Sequence, residues 1–197
     1  AALKSDGSVI TWGHSEWGGD SSSVSAKLQG GVTDIFTTLH AFAALKDDGS
    51  VITWGGEYNY NSYGASPDEG VKDLIKEDIE EIYSNGFCFA AIKKDGSVIT
   101  WGGTAVHQYP ENQSHLKINN IVSTLASFAA LRADGSVVCW GTIDNNSIPS
   151  DLNEGITQIY SNDYSFAGLK NDGSVITWGY QSNLYKWLNE DYESAGS

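Results

Sequence analysis

Histidine, cysteine and grouped carboxylates are the side chains that most often hold metals or move protons, and this 197-residue chain arranges few of them usefully. His14, His40, His107 and His115 lie in or near stretches that read as connections, and none is spaced as His-x-x-x-His. Cys88 and Cys139 fall on two different apolar runs and read as buried free thiols. Seven acids lie between Asp68 and Glu81, but their spacing does not match a calcium-binding EF-hand loop, and they read as the solvated face of a helix. There is no Gly-x-Ser-x-Gly and no glycine-rich phosphate cradle. The tripeptide Asp-Gly-Ser occurs five times, always between two apolar runs, which is the place of a turn and not of a nucleophile. The expectation is a protein that is not an enzyme, with no catalytic set, no metal and no cofactor.

Rings offer a different chemistry. His14 and Trp17, then Tyr58, Tyr60 and Tyr63, then His107 and Tyr109, then Tyr180, Tyr185 and Trp187 all follow a Trp-Gly pair. They are interspersed with Asn, Ser and Gly, a mixture that suits adaptable recognition because rigid rings supply contact area at low entropic cost. If every Trp-Gly ends a strand at the same edge, these ten residues form one binding rim.

The elements that must carry this rim are five copies of one hairpin, at 1–13, 42–55, 89–102, 128–141 and 166–179. Each has an apolar run, an Asp-Gly turn and a second run ending in Trp-Gly. The structural residues are Gly7, Gly49, Gly96, Gly135 and Gly173 in the turns and Trp12, Trp54, Trp101, Trp140 and Trp178 in the second runs. With Asp and Gly as the two central turn residues, Leu45 faces Ile52, Ala43 faces Trp54 and Phe42 faces Gly55, large opposite small. The turn glycines are 42, 47, 39 and 38 residues apart, a period that means stacked units. A further segment precedes four of the hairpins: Val32-x-x-Ile35, Ile79-x-x-Ile82, Ile118-x-x-Ile121 and Ile156-x-x-Ile159. Small radial sheets of at least three strands predict an all-β chain, one β-propeller domain over 1–197 with about five blades. The first unit is one strand short, so the ring is open or is completed by another chain. In the connections, Ser23–Gly30 predicts one or two helical turns. Ser66-Pro67-Asp68-Glu69 predicts a helix start capped by Ser66, with Val71, Leu74 and Ile75 as its apolar stripe. Val24, Leu28 and Gly31-Val32 align with Ile148, Leu152 and Gly155-Ile156, so the connections read as diverged copies of one element.

The run Ala44-Leu45…Asp48-Gly49…Val51-Ile52-Thr53-Trp54-Gly55 and its four counterparts resemble the regulator of chromosome condensation repeat family, closest in style to its bacterial members. The resemblance covers nearly the whole chain and implies a propeller of four-stranded blades, usually seven in number. It implies functions ranging from guanine-nucleotide exchange on a small GTPase to inhibitor binding, light sensing and scaffolding. The family's Gly-Gln-Leu-Gly segment after Trp-Gly is absent here, and no insertion suits an exchange wedge. A net charge of −14 with Arg132 as the single arginine excludes phosphate-led nucleic-acid binding. No run of eighteen apolar residues predicts a membrane span. The absence of Met and the start inside a hairpin read as a piece of a longer chain or a processed product. The preferred expectation is a protein-recognition module from a larger bacterial or viral surface protein, extracellular or surface-associated. A carbohydrate-binding adhesin is the alternative, with stacked aromatics meeting glycan. A guanine-nucleotide exchange factor is the third reading. Self-association to complete the ring is expected alongside a protein partner.

Overall fold

The computed structural model describes residues 1–56, 66–103, 109, 117–143 and 147–179. Five antiparallel sheets follow one another along the chain. The first has two strands, β1 (Ala2–Leu3) and β2 (Val9–Ile10). Four three-stranded sheets follow: β3 (Val32–Thr37), β4 (Ala41–Lys46) and β5 (Val51–Gly55); β6 (Ile79–Ser84), β7 (Cys88–Lys93) and β8 (Val98–Gly102); β9 (Ile118–Ser123), β10 (Ser127–Arg132) and β11 (Val137–Gly141); β12 (Ile156–Ser161), β13 (Ser165–Lys170) and β14 (Val175–Gly179). Each sheet is a simple meander. The first strands β3, β6, β9 and β12 meet one another in order, which places them innermost. This is a β-propeller of about five blades. Three strands per full blade, not four, are present among the described residues.

The turn sets the pairing, and it differs from the sequence expectation by one residue. Phe42 pairs with Trp54, Ala43 with Thr53, Ala44 with Ile52 and Leu45 with Val51. The loop has three residues, Asp47-Asp48-Gly49: Lys46 N donates to Ser50 O and Gly49 N to Lys46 O, both at 2.9 Å. Gly49 has φ +80°, the left-handed residue of a bulged turn that a side chain would strain. Asp48 is thus a turn residue whose carboxylate accepts from Ser50 N at 2.9 Å and Ser50 Oγ at 2.6 Å. As a result large sits opposite large: Phe42 stacks on Trp54 at 5.1 Å, Phe89 on Trp101 and Phe128 on Trp140 at 5.2 Å, and Phe166 on Trp178 at 5.6 Å.

These stacked pairs fill the joints between blades. Phe89 and Trp101 of the third blade lie with Ala41, Ala43 and Val51 of the second. Phe128 and Trp140 lie with Cys88, Ala90 and Ile92 of the third. Phe166 and Trp178 lie with Ala129, Leu131 and Val137 of the fourth. Each tryptophan therefore faces the blade before it, and alanines on that blade let the indole approach. Backbone bonds tie the first blade to the second, the second to the third and the fourth to the fifth at the lower edge, where the Asp-Gly-Ser turns lie. Val32 N donates to Gly7 O, Ile79 N to Gly49 O and Ile156 N to Gly135 O, each at 3.0 Å.

Trp12 departs from the expectation of five equally buried tryptophans. Its side faces away from the second blade, and the residue is 63% exposed. At the other end of the series Val175, on the face of the last blade that corresponds to Val51, is 64% exposed.

The connections lie over the outer strands. Ser22–Leu28 forms a short 3-10 helix that buries Leu28, and Leu152 is buried at the aligned position. The helix expected after Ser66 spans Glu69–Leu74, but its cap is Asp68, which accepts from Val71 N at 2.9 Å; Ser66 is too far upstream. Leu74 is exposed and Ile75, just past the helix, is buried, with Ile75 O accepting from Val51 N. The stripe is therefore Val71 and Ile75.

Trp101→Ala should lower stability in denaturant unfolding by about 3–5 kcal/mol, whereas Trp12→Ala should change it by no more than about 0.5 kcal/mol. The carboxyls of Asp6, Asp48, Asp95, Asp134 and Asp172 are each held below the ordinary 3.8 by the neighbouring serine hydroxyl and then its backbone N–H. A depressed carboxyl stabilises the fold above its unfolded value and loses that contribution as pH falls through the lower one. The melting temperature should hold above pH 3.8 and fall below it. The fall should be shallower in a variant with alanine at Ser8, Ser50, Ser97, Ser136 and Ser174.

Candidate functional site

The edge opposite the Asp-Gly-Ser turns carries the turns between each inner strand and the next. Four equivalent segments build it: Thr38-Leu39-His40, Asn85-Gly86-Phe87, Thr124-Leu125-Ala126 and Asn162-Asp163-Tyr164. In each, the first side chain caps the turn. Asn85 Oδ1 accepts from Phe87 N at 2.8 Å and Cys88 N at 2.9 Å. Asn162 Oδ1 accepts from Tyr164 N at 2.9 Å and Ser165 N at 2.8 Å. Thr38 Oγ1 accepts from Ala41 N at 3.0 Å, and Thr124 Oγ1 from Ser127 N at 3.1 Å.

The four turns are then stitched side by side. Leu39 N donates to Gly86 O at 3.1 Å, Gly86 N to Leu125 O at 2.8 Å and Leu125 N to Asp163 O at 2.9 Å. Because these backbone groups bond to one another, the side chains are what the edge presents. Leu39 is 57% exposed, and Tyr164 is exposed as well.

Beside Leu39 lies a stack of three rings. His14 and Trp17 are parallel at 4.5 Å, and Trp17 meets His40 at 5.0 Å. The 3-10 turn Ser15–Trp17 presents Trp17, which stays 47% exposed. Two glycines hold that turn down. A Cβ on Gly18 would lie 2.5 Å from the Phe42 ring, and one on Gly19 would lie 2.4 Å from the Gly13 carbonyl carbon. Gly18 O in turn accepts from Trp54 Nε1 at 3.0 Å, tying the exposed stack to the buried joint.

Of the rim residues expected from sequence, His14 and Trp17 come together in this way. Tyr109 does not belong with them. It is buried edge-on against Trp140 at 5.0 Å, with its N–H donating to Thr100 Oγ1, so it fills the joint between the third and fourth blades. A ring that closes a joint has no face left for a partner. Tyr58, Tyr60, Tyr63, His107, Tyr180, Tyr185 and Trp187 lie outside the described residues. Leu39, His40, Phe87 and Tyr164 were not anticipated. Their signal is a Thr or Asn two residues before a ring, recurring at 38, 85 and 162.

Two imidazoles, His14 and His40, belong to this edge, and Cys88 follows the Asn85 turn with its Sγ donating to Asn85 Oδ1 at 3.3 Å. Burial pushes the Cys88 thiol up to about 12, and the Cys139 thiol likewise. Cys139 Sγ accepts from Trp178 Nε1 at 3.1 Å. Both cysteines are free, and among the described residues no three His, Cys, Asp or Glu side chains gather as a metal site. The turn aspartates Asp6, Asp48, Asp95, Asp134 and Asp172 sit on the opposite edge, each held by its serine, while Asp73 and Asp151 are lowered by Lys76 and Lys170 and Asp20 by Ser22. Among the described residues, the large apolar groups that the upper edge exposes are Trp17, Leu39 and Tyr164.

No family model matches the chain, and no curated protein matches it. Solved structures do. The ectodomain of the Arabidopsis thaliana receptor kinase ACR4 is similar at 21% identity and a TM-score of 0.55, over 75% of this chain and 50% of that one. The ectodomain of the Physcomitrella patens receptor kinase CR4 is similar at 19% identity and 0.51, over 75% and 38%. Yeast RCC1 (Prp20), in its complex with Kap60, is similar at 12% identity and 0.51, over 76% and 44%. The chain spans half or less of each of these structures. At such identities the likeness shows the β-propeller fold.

Both thiols should resist Ellman's reagent at pH 8 in the native protein and react fully in denaturant. Rapid reaction of one thiol in the native state would place it at the surface.

Proposed function

We propose that this chain is a non-catalytic binding module, related to the regulator of chromosome condensation repeats, that recognises a protein partner through its upper edge. The observation that carries this reading is the stack of His14, Trp17 and His40 with exposed Leu39 beside it. An exposed indole and an exposed leucine are costly to leave in water, and here short turns and two close-packed glycines hold them outward. Aromatic anchors on a preformed surface are what hot spots are made of. The five copies of the repeat signature support the family reading. The presence of yeast RCC1 bound to Kap60 among the similar structures supports protein binding as a use of this fold.

The test is parallel screening of the labelled chain on a protein array and a glycan array, with a Trp17→Ala, Leu39→Ala double variant as control. Protein hits that lose at least tenfold in affinity with the double variant, at an unchanged melting temperature, are the expected result. Hits confined to glycans would replace this reading with the adhesin. Hits that the double variant retains would move the site elsewhere. Nucleotide release from a small GTPase should not be accelerated.

A further inference from the structure

The turn at the top of the third blade holds the single Asn-Gly pair of the chain, Asn85-Gly86. A side-chain amide is most open to attack by the next backbone nitrogen when that nitrogen belongs to glycine, which has no Cβ to obstruct the five-membered ring that forms. Packing is what demands glycine here. A Cβ on residue 86 would lie 2.9 Å from both the backbone oxygen and Cδ1 of Leu125, so no side chain fits at this joint. Asparagine is required just as locally, because its Oδ1 caps the turn.

The fold engages both reacting groups. Gly86 N donates to Leu125 O of the fourth blade at 2.8 Å, so its proton is committed to the joint. Asn85 Oδ1 accepts from Phe87 N, Cys88 N and Cys88 Sγ, which fixes the amide plane. Asn85 is 8% exposed, so solvent base has little access. Its Nδ2 is buried and has no acceptor, so no hydrogen bond opposes its departure.

We propose that Asn85 is a deamidation site gated by the joint between the third and fourth blades. Opening of that joint frees the Gly86 N–H and admits water. Hydroxide removes the proton, the nitrogen attacks Asn85 Cγ, and an N–Cγ bond forms. The Cγ–Nδ2 bond then breaks, and Nδ2 takes a proton from water and leaves as ammonia. Water opens the resulting succinimide at either carbonyl. Cleavage of the new N–Cγ bond gives aspartate, and cleavage of the original peptide bond gives isoaspartate. Isoaspartate adds one carbon to the backbone of the turn, which takes Gly86 out of register with Leu125 O and Leu39 N. Aspartate places a charge in a buried site, which is costly. Either product works against reclosure, so the change runs one way. Asn162 is a built-in control: it caps its turn in the same manner, but Asp163 follows it, and the Cβ of Asp163 obstructs the ring. The claim rests on the joint and not on the upper-edge reading.

The experiment incubates the whole 197-residue chain in mildly alkaline buffer, native and in urea, and reads the digested peptides by mass spectrometry for replacement of the Asn85 amide by a hydroxyl. Conversion should be slower in the native chain by roughly tenfold or more, and Asn162 should convert in neither. Trp140→Ala, which thins the joint between the third and fourth blades, should speed conversion of Asn85 in the folded chain. Trp178→Ala, which thins the next joint, should not. Circular dichroism checks that each variant folds; should Trp140→Ala fail, Phe128→Leu thins the same joint more gently. Native conversion as fast as that in urea overturns the gating. An Asn85 that stays intact in urea overturns the site. Equal acceleration by the variants of the two joints overturns the role assigned to this one.

Discussion

The whole arrangement depends on an indole lying flat between two sheets. An aromatic side chain buries about 150–250 Å², which at about 25 cal/mol per Å² contributes roughly 4–6 kcal/mol. The exposed ion pairs, such as Lys72 with Glu69 at 2.7 Å, contribute about 0–1 kcal/mol each by comparison. Packing between blades, and not surface charge, decides the fold. The alanines at 43, 90 and 129 are as necessary as the tryptophans, because a larger side chain would hold the next blade off. The bonds from Val32, Ile79 and Ile156 to the preceding turn glycines then set the height at which one blade meets the next.

Much of this was legible in the sequence because repetition is hard to hide. Five hairpins and four inner strands lie where the spacing puts them, and four of the five repeat tryptophans are buried, Trp12 being the exception. The register was not legible, since Asp-Gly suits a two-residue turn as well as a three-residue one. What decides is the grip of Ser50 on Asp48, a three-dimensional contact. The helix cap passed from Ser66 to Asp68 for a related reason: two candidates stood close together, and only one reaches Val71 N.

The candidate site was harder to read. Tyr109 and Trp17 look alike as rings that follow Trp-Gly, but one folds into a joint and the other is held out by Gly18 and Gly19. The two glycines after Trp17 have no counterpart after Tyr109, but their effect depends on contacts with Phe42 and Gly13 that form only in the fold. Leu39 and Tyr164 went unnoticed because they occupy turns of low complexity. Placement on a common edge, through bonds from Leu39 to Gly86 to Leu125 to Asp163, is what makes them a set. The two edges differ in sequence. The lower one repeats Asp-Gly-Ser without change, while the upper one varies from blade to blade.

Residue-resolved hydrogen exchange of the native chain measures the blade joints most directly. The amides of Ile79, Ile156 and Gly86, which bond only across joints, should exchange as slowly as those in the middle of β7 and β10, because opening them requires separating whole blades. Fast exchange at these amides, with slow exchange confined within each hairpin, would mean that the blades do not pack on one another and would contradict the account.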